Sequence, residues 1–231
     1  MTSPSSTDET RRNAWEVSYE NRQNFVFYPE EEMVRFVSKH LRKRTGLDSF
    51  EDKAGDNTGM RVLDVGCGIG RHMVMALDFG FEPYGFDLSE TAVETARTWL
   101  GSRGLADPSD HIHQADIRTL PFEDGFFGCA ISHGVLDSMP FDIALQGMGE
   151  VARTLKSNAL FYCDLIGGGD HEEVIETHHE KDTLQSFFSE AKINDLIAPH
   201  FDIVDRIRVE RTDTVSGHIH TRWHLTLRKK G

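Results

Sequence analysis

The stretch RVLDVGCGIGRHMVMALDFGFEPYGFDLSE, residues 61–90, constrains this chain more than any other. A short apolar run is followed by Asp64, then by Gly66, Gly68 and Gly70 at alternate positions. A helical pattern ends at Gly80, and a second apolar run ends at Asp87. Two buried strands joined by a helix within thirty residues leave room only for a right-handed strand–helix–strand unit, and hence for a parallel pair. The glycines fall where the first strand ends. There they permit a sharp turn and a close backbone approach to a ligand.

The alternation continues downstream. Ser89 is placed to cap a helix over SETAVETARTWLGSRG, and HIHQADI and GFFGCAISHGVL read as third and fourth strands. FDIALQGMGEVARTL is a helix, ALFYCDLIGG a fifth strand, and the segment from Asp182 to His200 a last helix. FDIVDRIRVER and HTRWHLTLRKK, joined by a turn at Ser216-Gly217, make a hairpin that adds one antiparallel strand. The expected architecture is α/β: a Rossmann-like, doubly wound, seven-stranded, mostly parallel sheet with a C-terminal antiparallel hairpin strand. Upstream, residues 11–24 and 29–44 read as helices and 45–59 as a polar linker. This divides the chain into a disordered tail (1–12), a helical cap with linker (13–58) and the main domain (59–231). Within that domain, residues 167–198 are read as a lid over the substrate.

A hydrophobic fraction of 38% and a charged fraction of 27% suit a water-soluble domain, and no run of apolar residues reaches membrane-spanning length. The N-terminus has no apolar leader, and Cys67, Cys129 and Cys163 are too far apart for a zinc or disulfide pattern, so a cytoplasmic protein with reduced thiols is expected. The formal net charge of −13 repels nucleic acid and anionic membranes, so neither is expected as a partner. The basic run RFVSKHLRKR (35–44) is read as the wet face of a helix, and His218, His220 and His224 as exposed strand residues. The oligomeric state is left open between monomer and homodimer.

The glycine loop is not a nucleotide-phosphate loop. It has no GxxxxGK[ST], and the sixth position of a dinucleotide fingerprint counted from Gly66 is Arg71. Asp64 would repel a pyrophosphate and suits a ligand that carries a cation. LDVGCGIG, followed by GFDLSE and ADI, resembles the class I S-adenosylmethionine-dependent methyltransferases. The resemblance is good over residues 60–166 and extends to the order of elements beyond. It implies S-adenosylmethionine as cofactor, with Asp64, Gly66, Cys67, Gly68 and Gly70 at the methionine portion. Asp87 would take the ribose hydroxyls, Leu88 would pack on adenine, and Asp116 and the backbone of Ile117 would read its edge. Ser132 and His133 would lie beneath the donor methyl.

The acceptor is less legible. No Asn/Asp-Pro-Pro-aromatic motif follows strand four, which carries SHGVLDSMP instead, similar to small-molecule methyltransferases. The expected reaction is therefore methyl transfer to a small polar acceptor, a sugar or metabolite hydroxyl ahead of a nitrogen. A small-molecule N-methyltransferase and a non-catalytic scaffold of the same fold are the alternatives. A hydroxyl acceptor needs a base, and His133 and Asp137 are the catalytic candidates, with Asp164 also considered. Tyr19, Tyr28, His171 and His178 are candidate acceptor contacts. The cluster GGGDHEEVIETHHEKD lacks HExxH and mixes imidazoles with carboxylates, so no metal site is assigned to it.

Overall fold

The computed structural model describes residues 6–176 and 180–231. Helix α1 (Ser6–Glu20) carries Asp8 and Glu9 in its first turn, where the helix dipole favours acids. It therefore reaches into the segment expected to be a tail. Asp8 pairs with Arg118 and Arg11 with Asp116, so partners about a hundred residues away order a stretch whose composition suggests disorder. Helix α2 (Glu31–Phe36) passes through one π turn, Val37–Leu41, into β1 (Arg42–Arg44), which pairs with β2 (Phe50–Asp52). The expected helix over 29–44 is thus cut short. Its basic run is not all wet, because the Arg42 side chain is buried against Asp52, Thr58 and the Phe79 carbonyl.

The core of the fold follows the expected alternation. In chain order it comprises β3 (Arg61–Val65), α3 (Arg71–Asp78), β4 (Glu82–Asp87), α4 (Glu90–Ser102), the short α5 (Pro108–His111) and β5 (Ile112–Gln114). It continues with β6 (Phe127–Ser132), α6 (Phe141–Thr154) and β7 (Leu155–Ile166). A small hairpin of β8 (Glu172–Val174) and β9 (Leu184–Ser186) precedes α7 (Glu190–Ile197), β10 (Phe201–Thr212) and β11 (Ile219–Lys229). The sheet order is β10-β11-β7-β6-β3-β4-β5, and only β11 runs against its neighbours, as the hairpin predicts. From β3 the chain builds outward through β4 and β5, then returns to build the other way from β6. The crevice between the carboxyl ends of β3 and β6 is the point of reversal, where ligands bind in such sheets.

Both faces are covered. On one, α6 and α7 pack Met148, Val151, Ile193 and Leu196 against Leu63, Phe127, Phe161 and Leu225. On the other, Met33, Phe36 and Val37 of the α2 segment meet Val62, Ile131 and Tyr162. Each such large apolar side chain contributes about 1.5–3 kcal/mol on burial. Cys129 and Cys163 lie fully within this core. His224, expected outside, is buried because β11 is an interior strand, and its Nδ1 lies 2.8 Å from the Tyr162 hydroxyl. No helix among the described residues is long and apolar enough to cross a membrane.

The segment read as a lid is partly embedded. Phe188 and Ser186 are fully buried, and the Ser186 N–H donates to the Asp137 carbonyl, so 184–186 is extended where a helix was expected. Helix α7 begins only after Ser189, whose hydroxyl accepts from the Lys192 N–H. Ser89 plays the same part for α4 by accepting from Ala92 at 3.1 Å, fully buried at the rim of the crevice. Ser89→Ala is expected to lower unfolding free energy by about 1 kcal/mol in a denaturant titration. An unchanged midpoint would remove the cap from this account.

Candidate functional site

The loop after β3 adopts left-handed backbone at Gly66 (φ 64°) and Gly68 (φ 53°). A Cβ on Gly66 would lie 2.6 Å from Val135, and one on Gly68 2.6 Å from the Tyr19 hydroxyl, so side chains are excluded by space as well as by torsion. Gly70 has a different task. It starts α3, and a Cβ there would strike Leu100 of α4 at 2.6 Å; it packs helix to helix and is not part of the cavity wall. The bare loop bounds a cavity of about 290 Å³ at the carboxyl ends of β3, β4 and β6. Asp87, Leu88, Ile117 and His133 join Gly66, Cys67 and Gly68 in lining it, and Trp15 and Tyr19 of α1 cover it.

Three acids surround this loop in three states. Asp87 accepts from the Gly68 N–H at 2.9 Å and the Ser89 N–H at 3.0 Å. Burial nevertheless pushes its carboxyl up to about 6, against the lowering by those bonds. A carboxylate has about four acceptor sites, so two remain for a ligand. Asp64 lies behind the loop, 1% exposed; its Oδ2 has no hydrogen-bond partner, and burial pushes it up to about 8. An unpartnered buried carboxylate oxygen beside a bare glycine loop is what a cationic ligand would relieve. Asp116 is turned away: both its oxygens are taken by Arg118 and Arg11, and it does not line the cavity, although its neighbours Ala115 and Ile117 do. Burial works to raise its carboxyl, and the two arginines hold it below the usual range.

The far end of the cavity gathers a second charged group. Nδ1 of His133 lies 2.8 Å from Oδ2 of Asp164 at the end of β7. The same oxygen accepts from Arg222 of β11 at 2.6 Å, and Oδ1 accepts from the Gly134 N–H. Burial opposes ionisation of Asp164, yet His133, Arg222 and that N–H hold it well below the carboxylate range. Asp137 is fully buried; it accepts from the Ile166 N–H and from Arg222, and burial pushes it up to about 6. Its Oδ1 is buried without a hydrogen-bond partner, and its Oδ2 holds Arg222 at the edge of the cavity that Asp137 helps to line. The His72 ring stands 5.8 Å from that of His133, and burial pushes its basicity down.

The expected residues therefore divide. Gly66, Cys67, Gly68, Asp87, Leu88, Ile117, His133, Asp137 and Tyr19 come together around one cavity. Asp64, Gly70 and Ser132 stand behind its wall. Tyr28 is 80% exposed past the end of α1, and His171 stacks in the open on Phe187 with ring centroids 4.3 Å apart, and neither lines the cavity. His178 lies outside the described residues. Arg222, His72 and Gln185 line the cavity without having been singled out from the sequence. Only the strand order brings Arg222 to Asp137 across 85 positions, and no local spacing encodes that.

The buried acids make pH a probe of the site. A carboxyl whose folded value is raised favours the native state most when protonated. Its contribution is complete below its unfolded value and lost as pH rises through the folded one. For Asp64 that window runs from about 4 to about 8. The ligand-free protein is expected to lose stability across it, and Asp64→Asn to flatten the profile. Identical pH profiles for the two proteins would show that Asp64 is not held neutral by burial.

A family model for the methyltransferase domain matches residues 63–163. An uncharacterised protein of Haemophilus influenzae is 30% identical over 149 residues, 62% of this chain and 59% of that protein. The sterol 4-C-methyltransferase of Caenorhabditis elegans is 28% identical over 166 residues, 68% of this chain and 46% of that protein. The chain thus spans about half the length of these relatives. Among solved structures, the 1,6-didemethyltoxoflavin-N1-methyltransferase of Burkholderia thailandensis, with 1,6-didemethyltoxoflavin and S-adenosylhomocysteine bound, aligns at a TM-score of 0.72 and 19% identity. It covers 100% of this chain and 92% of its own, a likeness of fold. Sequence motif, sheet order and family match agree: this chain carries a class I S-adenosylmethionine-dependent methyltransferase domain.

Proposed function

We propose that the protein transfers a methyl group from S-adenosylmethionine to a small polar acceptor, a sugar or metabolite hydroxyl ahead of a nitrogen. The observation that carries this reading is the pairing, around one cavity, of a glycine cradle that has no room for a Cβ with His133, whose Nδ1 lies 2.8 Å from the buried Asp164. Bound there, S-adenosylmethionine supplies a methyl on a positively charged sulfur, open to in-line attack. Gly66, Cys67 and Gly68 would lie along its amino-acid tail, and Asp64, behind that loop and out of contact with the ligand, would ionise in the field of its ammonium. Asp87 would keep its two backbone bonds and accept both ribose hydroxyls on its remaining sites. Leu88 and Ile117 would flank the adenine. Asp116, already held by two arginines, leaves that edge to the Ile117 backbone.

His133 is the base in this reading. Asp164 faces Nδ1, and Nε2, with Glu30 Oε2 4.0 Å away, would take the acceptor's proton, released as the oxygen bonds to the methyl carbon. Such a base is worth roughly 10²–10⁴-fold. Arg222 fixes Asp164 and Asp137 in place, which makes it and Asp137 positioning residues. A neutral amine acceptor would not need this dyad, and a scaffold would need neither dyad nor cradle. The formal charge of −13 weighs against a polyanionic acceptor.

S-adenosylhomocysteine is expected to raise the thermal midpoint; at about 100 times its Kd it adds about 2.7 kcal/mol. A shift with NAD and none with S-adenosylhomocysteine would contradict the assignment. Once an acceptor is in hand, His133→Ala is expected to lower kcat by about 10²–10⁴-fold for a hydroxyl substrate while keeping cofactor affinity. Unchanged turnover would move the base elsewhere, or point to a nitrogen acceptor.

A further inference from the structure

Strand β10 closes one side of the sheet, twelve residues long, and among the described residues only β11 pairs with it. The opposite edge, β5, has three residues. A long open edge presents unpaired N–H and C=O groups that template another strand. Ile203, Val204 and Ile207 on β10 are 38%, 43% and 45% exposed. The pairing with β11 is irregular between Ile203 and Asp205, and regular from Asp205 to Thr212. Along that regular part, Asp205, Ile207, Val209 and Arg211 point to one face, and Arg206, Arg208 and Glu210 to the other. Ion pairs within the chain flank the edge on both faces, Lys39 with Asp205 and Glu190 with Arg206.

The order Asp-Arg-Ile-Arg-Val-Glu-Arg, residues 205–211, complements itself when laid antiparallel on a copy. With Arg208 on the two-fold axis, Asp205 faces Arg211, Arg206 faces Glu210 and Ile207 faces Val209, each pair occurring twice. Sliding the register by one residue in one direction sets Asp205 against Glu210; in the other direction it sets Arg206 against Arg211. The register centred on Arg208 gives each of the other six residues a partner of opposite charge or an apolar one, and facing pairs of this kind are what stabilise antiparallel strands. Only Arg208 meets its own copy. It is drawn back over the Trp223 ring, 5.6 Å from the centroid, and pairs with Glu210 of its own strand. The charge of −13 on each copy opposes approach, but physiological salt screens it beyond about 8 Å, a range within which the facing pairs act.

We propose that β10 is a homodimer interface, pairing antiparallel with β10 of a second copy about Arg208 and joining the two sheets into one. None of residues 205–211 lines the cavity, so the proposal is independent of the methyl-transfer reading. Sedimentation velocity on the full chain tests it. The wild type is expected to populate a concentration-dependent dimer. Arg206→Glu sets two Glu–Glu pairs across the axis and is expected to weaken that dimer by at least about tenfold. Adding Glu210→Arg restores opposite charges and is expected to bring the dimer back. Circular dichroism and the thermal midpoint confirm that each variant folds. A wild type that stays monomeric at all concentrations, a dimer indifferent to Arg206→Glu, or a double variant that remains monomeric would each overturn it.

Discussion

One hydrogen bond from main chain to side chain sets the geometry on which this site depends, from the Gly68 N–H to the carboxylate of Asp87. It ties the turn after β3 to the end of β4, and the Cys67 N–H reinforces it by donating to the Phe86 carbonyl at 2.9 Å. The loop can follow that path only because Gly66 and Gly68 accept left-handed torsions and offer no Cβ. A cradle of bare main chain, with an acid already oriented at its lip, follows from those constraints before any ligand arrives.

Burial turns that cradle into a chemical site. Asp64, Asp87 and Asp137 are all raised, whereas Asp164 is lowered although it is as deeply buried. The difference lies in partners. Asp164 accepts from a guanidinium and an N–H and has an imidazole nitrogen 2.8 Å away, and Asp64 has an oxygen with no partner. Desolvation penalises the charged form everywhere, and only compensated carboxylates stay ionised. The site thus holds one firmly charged acid beside the histidine. Beside the loop, Asp64 is raised to about 8 and Asp87 only to about 6, so that at neutral pH the first is protonated and the second ionised. That arrangement suits a ligand that brings its own positive charge to the loop.

The parts of this arrangement legible in the sequence are the local ones. The strand–loop–helix unit, its glycines, the cap at Ser89 and the acid at Asp87 all fall within thirty residues, and each obeys a short-range rule. What was missed depends on distant contacts. Residues 6–12 look like a tail, yet Asp8 and Arg11 find Arg118 and Asp116. Residues 184–186 carry a helical pattern, yet the Asp137 carbonyl takes them into an extended path. Tyr19 and Tyr28 look alike in an aromatic stretch. The first is on the inward side of α1 and the second lies past the helix end, so one covers the cavity and the other is in water. Arg222 could be recognised only once β11 was known to sit beside β7.

A calorimetric titration of S-adenosylhomocysteine into the wild type and into Asp87→Ala tests the central claim most directly. The account predicts one molecule bound per wild-type chain and at least about tenfold weaker binding to the variant, since charged hydrogen bonds to the ribose are lost. A wild type that binds nothing, or a variant that binds as tightly, would contradict it.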